Sequence, residues 1–548
     1  MRILGLSAFN RDAAAVLLAD GVVVSAAQEE RFTETPRDPA FPRRAVRSCL
    51  AAGGISGSQL DRVVFYEKPL RKFERFLARS LRTFPRSSRA FTKGAFHWLG
   101  EGLWIKNRIA EELDVAPDKV LFVPQAQAQL AAAFFASPFE EAALLLLDDV
   151  GEWSTTVFGR GRGHEVELVL EARHPHSLGL FISAWTQFLG FTPGEDEHKL
   201  EALAALGESR HVSEVEALFT DTGALFELAP EAFAFDEQGP TLFTREFERR
   251  FGPPRKSGDP LCTSAGDARH ADLAASVQCV VEQRALALAR ELHQRVPSTR
   301  LCLAGLLAEN RGLVARLASE GPFAQVFVPR APGKDGGALG ASWLAHAAFR
   351  GTVKRAAAQA VAPLEDIDSR AEPGARDLGG APAASSELAA RLRRGERVGW
   401  VRGPLEFSRR SLGARLALAR ASDPDGRARL NTALKHVEPF LPCRVAVPAE
   451  RAAEYCDVPA SAELVARAGH VFLRAKEALR QRAPSAVLAD GRAWPQIVDS
   501  TADPALHELL LSEERASGAP LVLLTDFALR GATVVRHEAA AVEAFQRS

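Results

Sequence analysis

The stretch 121–153, LFVPQAQAQLAAAFFASPFEEAALLLLDDVGEW, constrains the fold more than any other part of the chain. It predicts a short strand that ends at Pro124, then an alanine-rich helix, then a buried apolar strand over 142–147. The second strand delivers Asp148 and Asp149 into a glycine turn. Carboxylates at the end of a buried strand, beside the start of a helix, are suited to binding phosphates and metal ions. The stretch therefore predicts an α/β fold with a ligand site at this strand end.

The predicted helix carries two amides, Gln125 and Gln129, where such a site would need ligands. Residues four apart lie on the same face of a helix, so the spacing suits a chelating pair. Glutamine is a poor ligand for a transition metal. The pattern thus favours a ligand-binding fold from which the metal chemistry has been removed.

The same pattern occurs twice in the chain. Residues 3–21, ILGLSAFNRDAAAVLLADG, resemble residues 144–163, LLLLDDVGEWSTTVFGRGRG, in the order strand, acidic turn, small-residue strand and glycine turn. A repeated unit of this kind is typical of the duplicated halves of the actin/hexokinase superfamily, which face each other across a nucleotide cleft. We therefore expect an N-terminal domain with two similar halves.

The length of 548 residues is too great for one core and predicts two or three domains. Residues 352–385 are rich in Ala, Pro, Gly and Asp without periodicity, which indicates a linker. We therefore expect a first domain over 1–351 and a second α/β domain over 386–548. Within the second domain the pattern predicts a helix over 462–480.

The balance of charge and cysteine usage is typical of a cytoplasmic protein. There are 68 Lys and Arg against 69 Asp and Glu, a net charge of −1, so we expect neither nucleic acid nor a membrane as a partner. No apolar run approaches the roughly 20 residues that span a bilayer, and the N-terminus predicts a strand rather than a signal peptide. The six cysteines are scattered without a CxxC pair, which indicates reduced thiols.

The segment 68–112 is basic and aromatic. It predicts an amphipathic helical insertion. Two interpretations of its surface remain open. The first is a solvated basic face, and the second is a lid or a surface that binds a partner.

Six segments spread over nearly the whole chain match, in order, the motifs of one known family. They are QEERF at 28–32, SPFEEAALLLLDDVGEWSTT at 137–156, HPHSLGLFISAWTQFLGF at 174–191, CLAG at 302–305, GGALGA at 336–341 and GWVRGPLEFSRRSLGAR at 399–415. In these segments the chain resembles the nodulation- and antibiotic-type O-carbamoyltransferase family of natural-product biosynthesis.

The resemblance implies an actin-like first domain and a YrdC-like second domain. In the family, the second domain makes carbamoyladenylate from ATP and carbamoyl phosphate. The first domain passes the carbamoyl group to a substrate hydroxyl with the help of a bound iron. ATP with magnesium is therefore a possible cofactor, and a small molecule with a hydroxyl group is a possible acceptor.

The family's metal site is altered in this chain. Gln125 and Gln129 stand at the positions of the family's histidine pair, whereas Asp148 matches a retained carboxylate. Lys334 stands at the position of a later aspartate, and Asp335 follows it. An ammonium repels a divalent ion and amide oxygens do not replace imidazoles for iron, so we expect no iron. Lys334 is expected to provide a fixed positive charge instead.

Further candidates in the first domain follow from the resemblance. Asp12 matches the aspartate of the family's His-Asp motif, with Arg11 in place of the histidine, and joins Asp148 and Lys334 as a catalytic candidate. Glu197 and Lys199 match the family's Glu-Tyr-Lys segment on the substrate side.

The second domain keeps some phosphate-binding groups and loses others. Several family arginines are replaced by Val437, Leu441 and Trp494. Each lost charge-assisted hydrogen bond removes about 1.5–3 kcal/mol, so we expect little adenylation. The matching residues that remain candidates for binding the nucleotide or carbamoyl phosphate are Arg410, Arg415, Lys435 and Arg530.

Three functional hypotheses follow. The first is a catalytically impaired or non-catalytic subunit, paired with an active carbamoyltransferase paralogue or forming a homo-oligomer. The second is an active ATP-dependent O-carbamoyltransferase. The third is a metal-free variant of this chemistry, in which Lys334 takes over the electrostatic role of the metal.

Overall fold

The computed structural model describes residues 1–82, 84, 88–100, 102–235, 239–262, 268–355 and 381–547. Most of the predicted linker 352–385 lies outside the described residues. A helix over Ala381–Arg393 begins before the expected start of the second domain at 386. Within the described ranges, no helix is both long enough and apolar enough to cross a bilayer.

The first half of the N-terminal region is built on a five-stranded sheet. Its spatial order is β3-β2-β1-β4-β5, in which β1, β2 and β3 are antiparallel while β4 and β5 continue the sheet in parallel with β1. In chain order the strands are β1 (Arg2–Ser7), β2 (Ala14–Ala19), β3 (Val22–Gln28), β4 (Arg62–Phe65) and β5 (Val120–Phe122).

The second half repeats this connectivity. Its sheet has the order β12-β11-β6-β7-β8, with the first three strands in sequence antiparallel and the last two parallel to β6. The duplicated halves predicted from the sequence are thus confirmed. The strands are β6 (Glu141–Leu147), β7 (Ser154–Arg162), β8 (Glu165–Arg173), a separate hairpin of β9 (Phe219–Thr222) and β10 (Leu225–Leu228), then β11 (Arg300–Ala304) and β12 (Gln325–Phe327).

Strand β6 is buried on both faces. Ala143, Leu145 and Leu147 belong to one hydrophobic cluster, whereas the alternate residues Leu144 and Leu146 belong to another. Successive side chains of a strand point to opposite faces, so a strand covered on both sides must be apolar at every position. This explains why a continuous run of leucines, rather than an alternating pattern, precedes Asp148.

The C-terminal region has its own mixed sheet, of order β13-β14-β18-β15-β17-β16, in which β15 and β17 are parallel. Together with the duplicated N-terminal halves, this α/β sheet confirms the predicted fold class. The strands are β13 (Val398–Val401), β14 (Arg415–Arg420), β15 (Arg444–Pro448), β16 (Leu473–Arg474), β17 (Arg492–Val498) and β18 (Val522–Asp526).

The α-helices of the described residues lie between and around these sheets. They are α1 (Glu30–Thr33), α2 (Arg43–Ala52), α3 (Pro69–Arg82), α4 (Ser88–Gly100), α5 (Ile105–Leu113), α6 (Gln125–Ala136), α7 (Leu178–Phe188), α8 (Glu197–Ala204), α9 (Val212–Glu216), α10 (Arg245–Phe251), α11 (Arg269–Arg295), α12 (Arg311–Glu320), α13 (Gly336–Arg350), α14 (Ala381–Arg393), α15 (Gly426–Arg429), α16 (Ala452–Tyr455), α17 (Glu463–Arg467), α18 (Glu477–Arg482), α19 (Pro504–Ser517) and α20 (Glu538–Gln546).

The prediction of a single helix over 462–480 is wrong. The chain forms α17 and α18 there, with the short strand β16 between them. Gly469 has a φ of +68°, a left-handed conformation that follows the end of α17 and turns the chain away from a helical path. Burial of Leu473 beside β17 then favours a strand over local helix propensity.

Helices α6 and α13 follow the last strands of the two halves and cross each other between the sheets. A Cβ atom added at Gly340 would overlap the backbone carbonyl oxygen of Ala128, so the two backbones touch at this point. Only glycine permits such an approach. The crossing sets the distance between the two halves and thereby the geometry of the site at their junction.

We expect Gly340→Ala to destabilise the protein, because the new methyl group has to displace backbone rather than a flexible side chain. The free energy of unfolding should fall by about 3 kcal/mol, measured by urea denaturation. Gly100→Ala is the matched control, since a Cβ atom at Gly100 meets nothing within 4 Å. Equal stabilities of the two variants would contradict the close crossing.

Candidate active site

The acidic turn after β6 lies at the junction of the two halves, as its sequence predicted. Oδ1 of Asp148 accepts a hydrogen bond from the backbone N–H of Leu306 at 3.1 Å. Oδ2 of Asp148 accepts one from Nε2 of Gln129 at 3.2 Å. The Asp148 side chain is buried, and these two donors fix its orientation.

Lys334 reaches the neighbouring carboxylate from the turn that precedes α13. Its Nζ donates to Oδ1 of Asp149 at 2.8 Å and to the backbone carbonyl of Val150 at 3.1 Å. Only 4% of the lysine side chain is exposed. Burial lowers the pKa of Lys334 to about 8, and the nearby carboxylate of Asp148 partly opposes this effect. The ammonium is thus a buried, fixed positive charge in the acidic turn.

Arg11 supplies a second cation from the other half. It lies in the turn between β1 and β2, forms an ion pair with Asp149, and donates from Nη1 to the carbonyl of Gly194 at 3.2 Å. Asp149 is therefore shared between Arg11 and Lys334. The sequence identified Arg11 only as the substitute for a family histidine, and its partner 138 positions away could not be inferred from local pattern.

The two amides of α6 continue this network. Nε2 of Gln125 donates to Oε1 of Gln129 at 3.3 Å, and Gln129 in turn donates to Asp148. Oε1 of Gln125 is buried without a hydrogen-bond partner. The predicted i, i+4 pair thus forms a chain of amides that ends on a carboxylate.

Asp12 and Asp335 lie beside this network. Asp12 has a φ of +58° and its Oδ1, 3.9 Å from Nε of Arg37, accepts no hydrogen bond. Asp335 accepts hydrogen bonds from Nε2 of Gln28 at 2.5 Å and from the N–H of Gly336 at 2.9 Å. Burial raises the pKa of Asp335 to about 7, and the negative charge of Asp12 acts in the same direction.

The donor set of this site does not fit iron. Gln129 directs its amide N–H, not its oxygen, toward Asp148, and the ammonium of Lys334 donates a hydrogen bond to Asp149. An ammonium at hydrogen-bond distance supplies the positive charge that a divalent ion would otherwise bring. Across the described residues, no group of three or more His, Cys, Asp or Glu side chains is arranged to hold a metal ion.

A pocket lies between the two domains beside this site. It encloses about 440 Å³, including its open mouth, and both domains line it with charged side chains. Nη1 of Arg409 donates to Oε2 of Glu309 at 2.7 Å across the domain boundary. Burial lowers the pKa of His198 well below its ordinary value, and Arg410 acts in the same direction. The pocket is therefore lined by an imidazole whose charged form is disfavoured and by charged side chains from both domains.

The predicted substrate-side residues border this pocket. Oε1 of Glu197 accepts a hydrogen bond from the hydroxyl of Ser183 at 2.7 Å. Nζ of Lys199 lies 3.0 Å from a carboxylate oxygen of Glu438 in the second domain and 3.3 Å from one of Asp196. Glu197 lines the pocket directly, whereas Lys199 links the two domains.

Cationic side chains from both domains surround one indole ring. The guanidinium carbons of Arg311, Arg410 and Arg444 lie 3.8, 4.9 and 5.5 Å from the ring centroid of Trp494. Burial, followed by repulsion from Arg311, lowers the pKa of Arg410 to about 10. Cations over the face of an indole are stabilised by its quadrupole. The ring therefore occupies the centre of the cluster.

Asp526 is the counter-ion of this cluster. It accepts a hydrogen bond from Nη2 of Arg444 at 2.6 Å, and Nζ of the half-buried Lys435 donates to the hydroxyl of the adjacent Thr525 at 3.1 Å. Arg444 was not among the residues predicted from the sequence. An arginine within the apolar run of β15 was the available signal, because a charge in a buried strand requires a partner.

Arg415 and Arg530, the other two predicted phosphate-binding residues, do not take part in the contacts of this cluster. Nη1 of Arg415 donates to the carbonyls of Arg402, Gly403 and Ala414, and its remaining N–H groups donate to that of Arg536. These bonds use the guanidinium to hold loops together. Arg530 is exposed in the turn after β18.

Two family models match the chain. The model of the carbamoyltransferase N-terminus matches residues 2–343, and that of the carbamoyltransferase C-terminus matches residues 389–548. The chain belongs to the carbamoyltransferase family. The resemblance seen in the sequence is thereby confirmed.

Relatives of this carbamoyltransferase-family chain extend over nearly its whole length. A protein of Synechocystis that is described as uncharacterized is 33% identical over all of this chain and 94% of its own length. The nodulation protein NolNO of Sinorhizobium fredii is 27% identical over 98% of this chain and 77% of its own length. Among solved structures, the activator of 2-hydroxyisocaproyl-CoA dehydratase from Clostridium difficile matches 64% of this chain and 96% of its own, at 12% identity and a TM-score of 0.31.

Removing the ammonium of Lys334 should cost stability, because it leaves the buried carboxylate of Asp149 with Arg11 alone. We expect Lys334→Met to lower the free energy of unfolding by about 3 kcal/mol. Lys476→Met is the control, since Lys476 forms a half-exposed ion pair that should contribute less than about 1 kcal/mol. In a double-mutant cycle with Asp149→Asn, additive effects would contradict direct coupling of the two side chains.

The raised pKa of Asp335 predicts a pH-dependent stability. Between about pH 4 and pH 7 the folded state holds the proton of this carboxyl group more tightly than the unfolded state, so its contribution to stability falls as pH rises. Asp335→Asn removes this titration. The stability of the native protein relative to this variant should therefore fall by roughly 2–4 kcal/mol from pH 4.5 to pH 7.5, as measured by urea unfolding.

Asp457→Asn serves as the control for this experiment, since it neutralises a half-exposed carboxylate. The prediction would be contradicted if the difference in free energy of unfolding between the native protein and Asp335→Asn stayed constant across this pH range.

Proposed function

We propose that this chain is a cytoplasmic member of the carbamoyltransferase family that binds no iron and acts as an impaired or non-catalytic subunit. Its partner is proposed to be an active carbamoyltransferase of natural-product biosynthesis or a second copy of the chain. The observation that carries the proposal is the ion pair of Lys334 with Asp149. A positive charge that belongs to the protein occupies the acidic turn, where the resemblance implies a metal ion.

The closed hydrogen bonding of the first site supports this proposal. Asp149 is shared by Arg11 and Lys334, and Asp148 is held by Gln129 and the backbone. A buried charge is costly to separate from its partner. A metal ion would therefore have to displace two cations, and the remaining amides would be weak ligands for it.

The cation cluster around Trp494 gives independent support. Trp494 stands at the position of a family arginine, its ring lies among three guanidinium groups, and its Nε1 donates to the carbonyl of Gly469 at 2.8 Å. Arg311 is further paired with Glu201 at 2.7 Å, and Arg444 is paired with Asp526. Groups that already satisfy one another have less to offer to phosphate oxygens, which favours weak adenylation.

One observation favours a second candidate, metal-free carbamoyl transfer. Lys334 has a pKa of about 8 and lies beside two carboxylates, so a proton is available near neutral pH at Nζ. In that case the acceptor hydroxyl would attack the carbamoyl carbon of carbamoyladenylate and Asp148 would accept the hydroxyl proton. The ammonium would stabilise the negative charge on the carbamoyl oxygen, and the bond from the carbamoyl carbon to the phosphate would break with AMP as the leaving group.

The decisive experiment uses the purified full-length protein with ATP, magnesium and carbamoyl phosphate. Pyrophosphate release is followed, carbamoyladenylate is sought by mass spectrometry, and the iron content is measured by plasma emission. We expect no stoichiometric iron, pyrophosphate release at background and no ATP-dependent thermal shift. Stoichiometric iron, or turnover comparable to that of an active family member, would overturn the proposal.

Turnover without iron would move the question to the second candidate. Lys334→Ala and Lys476→Ala are then compared, after unfolding curves show that both variants are folded. Activity lost only in Lys334→Ala supports metal-free transfer by this site. Retained activity in Lys334→Ala excludes Lys334 from the chemistry.

A further inference from the structure

Exposed apolar side chains are concentrated in one small part of this molecule. Of the eleven large apolar side chains that are exposed in the described part of the chain, six lie between residues 70 and 104. Scattered single residues of this kind need no explanation, but a cluster marks an interaction surface. The six are Leu70, Leu81, Phe84, Phe91, Phe96 and Trp104.

Four of these residues lie on a pair of packed helices, α3 and α4; they are Leu70, Leu81, Phe91 and Phe96. Phe84 lies between the two helices, and Trp104 lies in the turn after α4. The rings of Phe76 and Phe91 stack at 5.8 Å, and those of Phe73 and Trp98 lie 5.5 Å apart. A Cβ atom at Gly94 would overlap the ring of Phe76, so the helices approach closely there. The pair therefore has an aromatic core of its own, which does not require the outward-facing residues.

The outward face combines apolar and basic side chains. Leu81, Phe84 and Phe96 are 76%, 70% and 74% exposed, and Leu70 is 71% exposed at the start of α3. We call these four residues, with the exposed Arg82, the hairpin surface.

The charge of this segment differs sharply from that of the whole chain. The sequence 68–108 contains eleven Lys and Arg against two Glu, a net charge of +9, whereas all 548 residues sum to −1. Several of these cations have partners within the molecule: Arg71 lies 3.7 Å from Glu152, Lys72 lies 3.0 Å from Glu67, and Arg75 donates to the carbonyl of Gly151 at 2.6 Å. Glu67 and Glu152 add only two negative charges, so the segment together with these partners still carries an excess of positive charge. The average over the chain, on which the expectation of no membrane partner rested, conceals this asymmetry.

The charge decides what covers the hairpin surface. A second copy of the chain, joined through the same face, would bring two strongly positive segments together, so self-association at this face is disfavoured. The occupant must be anionic and must also accept apolar side chains. A bilayer with acidic headgroups meets both needs, and a fluid bilayer takes up protruding side chains without a matching pocket for each.

We infer that the hairpin surface binds peripherally to membranes that contain anionic lipids. Leu81, Phe84 and Phe96 enter the boundary between headgroups and acyl chains, while Arg82 contacts lipid phosphates. Helix α3 is fastened to the acidic turn by Arg75 and by the N–H of Lys68, which donates to Glu152. The membrane would therefore contact the protein at the end of α3 that lies away from this turn, where Leu81 and Arg82 are located.

The test measures co-sedimentation of the full-length protein with vesicles. Vesicles of phosphatidylcholine mixed with phosphatidylglycerol are compared with vesicles of phosphatidylcholine alone. We expect binding to the anionic vesicles that weakens when NaCl is raised from about 0.1 M to about 0.5 M. The triple variant Leu81→Ser, Phe84→Ser, Phe96→Ser should bind at least about tenfold more weakly.

Leu168→Ser with Val169→Ser is the matched control, because these exposed side chains lie on β8, outside the hairpin. All variants change exposed positions, and far-ultraviolet circular dichroism verifies their folding. Absence of binding to anionic vesicles by the native protein overturns the inference, as does an equal loss of binding in the control. Binding to an acidic polypeptide such as poly-glutamate, without binding to vesicles, would also overturn it and indicate a protein partner.

Discussion

Asp149 is the charge on which the junction of the two N-terminal halves depends. Arg11 from the first half and Lys334 from the turn before α13 both contact its buried carboxylate. Removing charges from water costs several kcal/mol for each ion, so the three groups are stable there only as a set. The crossing of α6 and α13 at Gly340 places them within reach of one another. Packing and electrostatics thus require the same closed geometry.

The cation cluster around Trp494, at the boundary of the two domains, follows the same rule with different residues. Arg444 is balanced by Asp526, Arg311 by Glu201, and both lie near the face of Trp494. In both sites the protein supplies from its own side chains the charges that a ligand would otherwise supply. These contacts support the proposal that the chain is an impaired or non-catalytic member of the carbamoyltransferase family. The hairpin surface is a separate feature of the molecule, although Arg75 joins α3 to the acidic turn of the first site.

Much of the fold could be predicted from local pattern. The run of leucines before Asp148 predicted β6 because a strand covered on both faces must be apolar throughout. The repeated strand–turn–strand unit predicted the duplicated halves, which the matching strand orders confirm. The helix over 462–480 was predicted wrongly, since Gly469 and the burial of Leu473 outweigh local helix propensity. For the site, the sequence indicated Asp148, Lys334 and the two glutamines, and the fold brings these residues together.

What the sequence by itself determined is the set of elements and the chemical types at their ends, because periodicity and turn residues act over a few positions. What only the tertiary structure decided is which charges become partners. Lys334 and Asp149 are 185 positions apart, and Arg415, expected to face a phosphate, instead donates to backbone carbonyls. Such pairings arise when burial forces each charge to find the nearest partner in space, and the position of that partner depends on the packing of the whole chain.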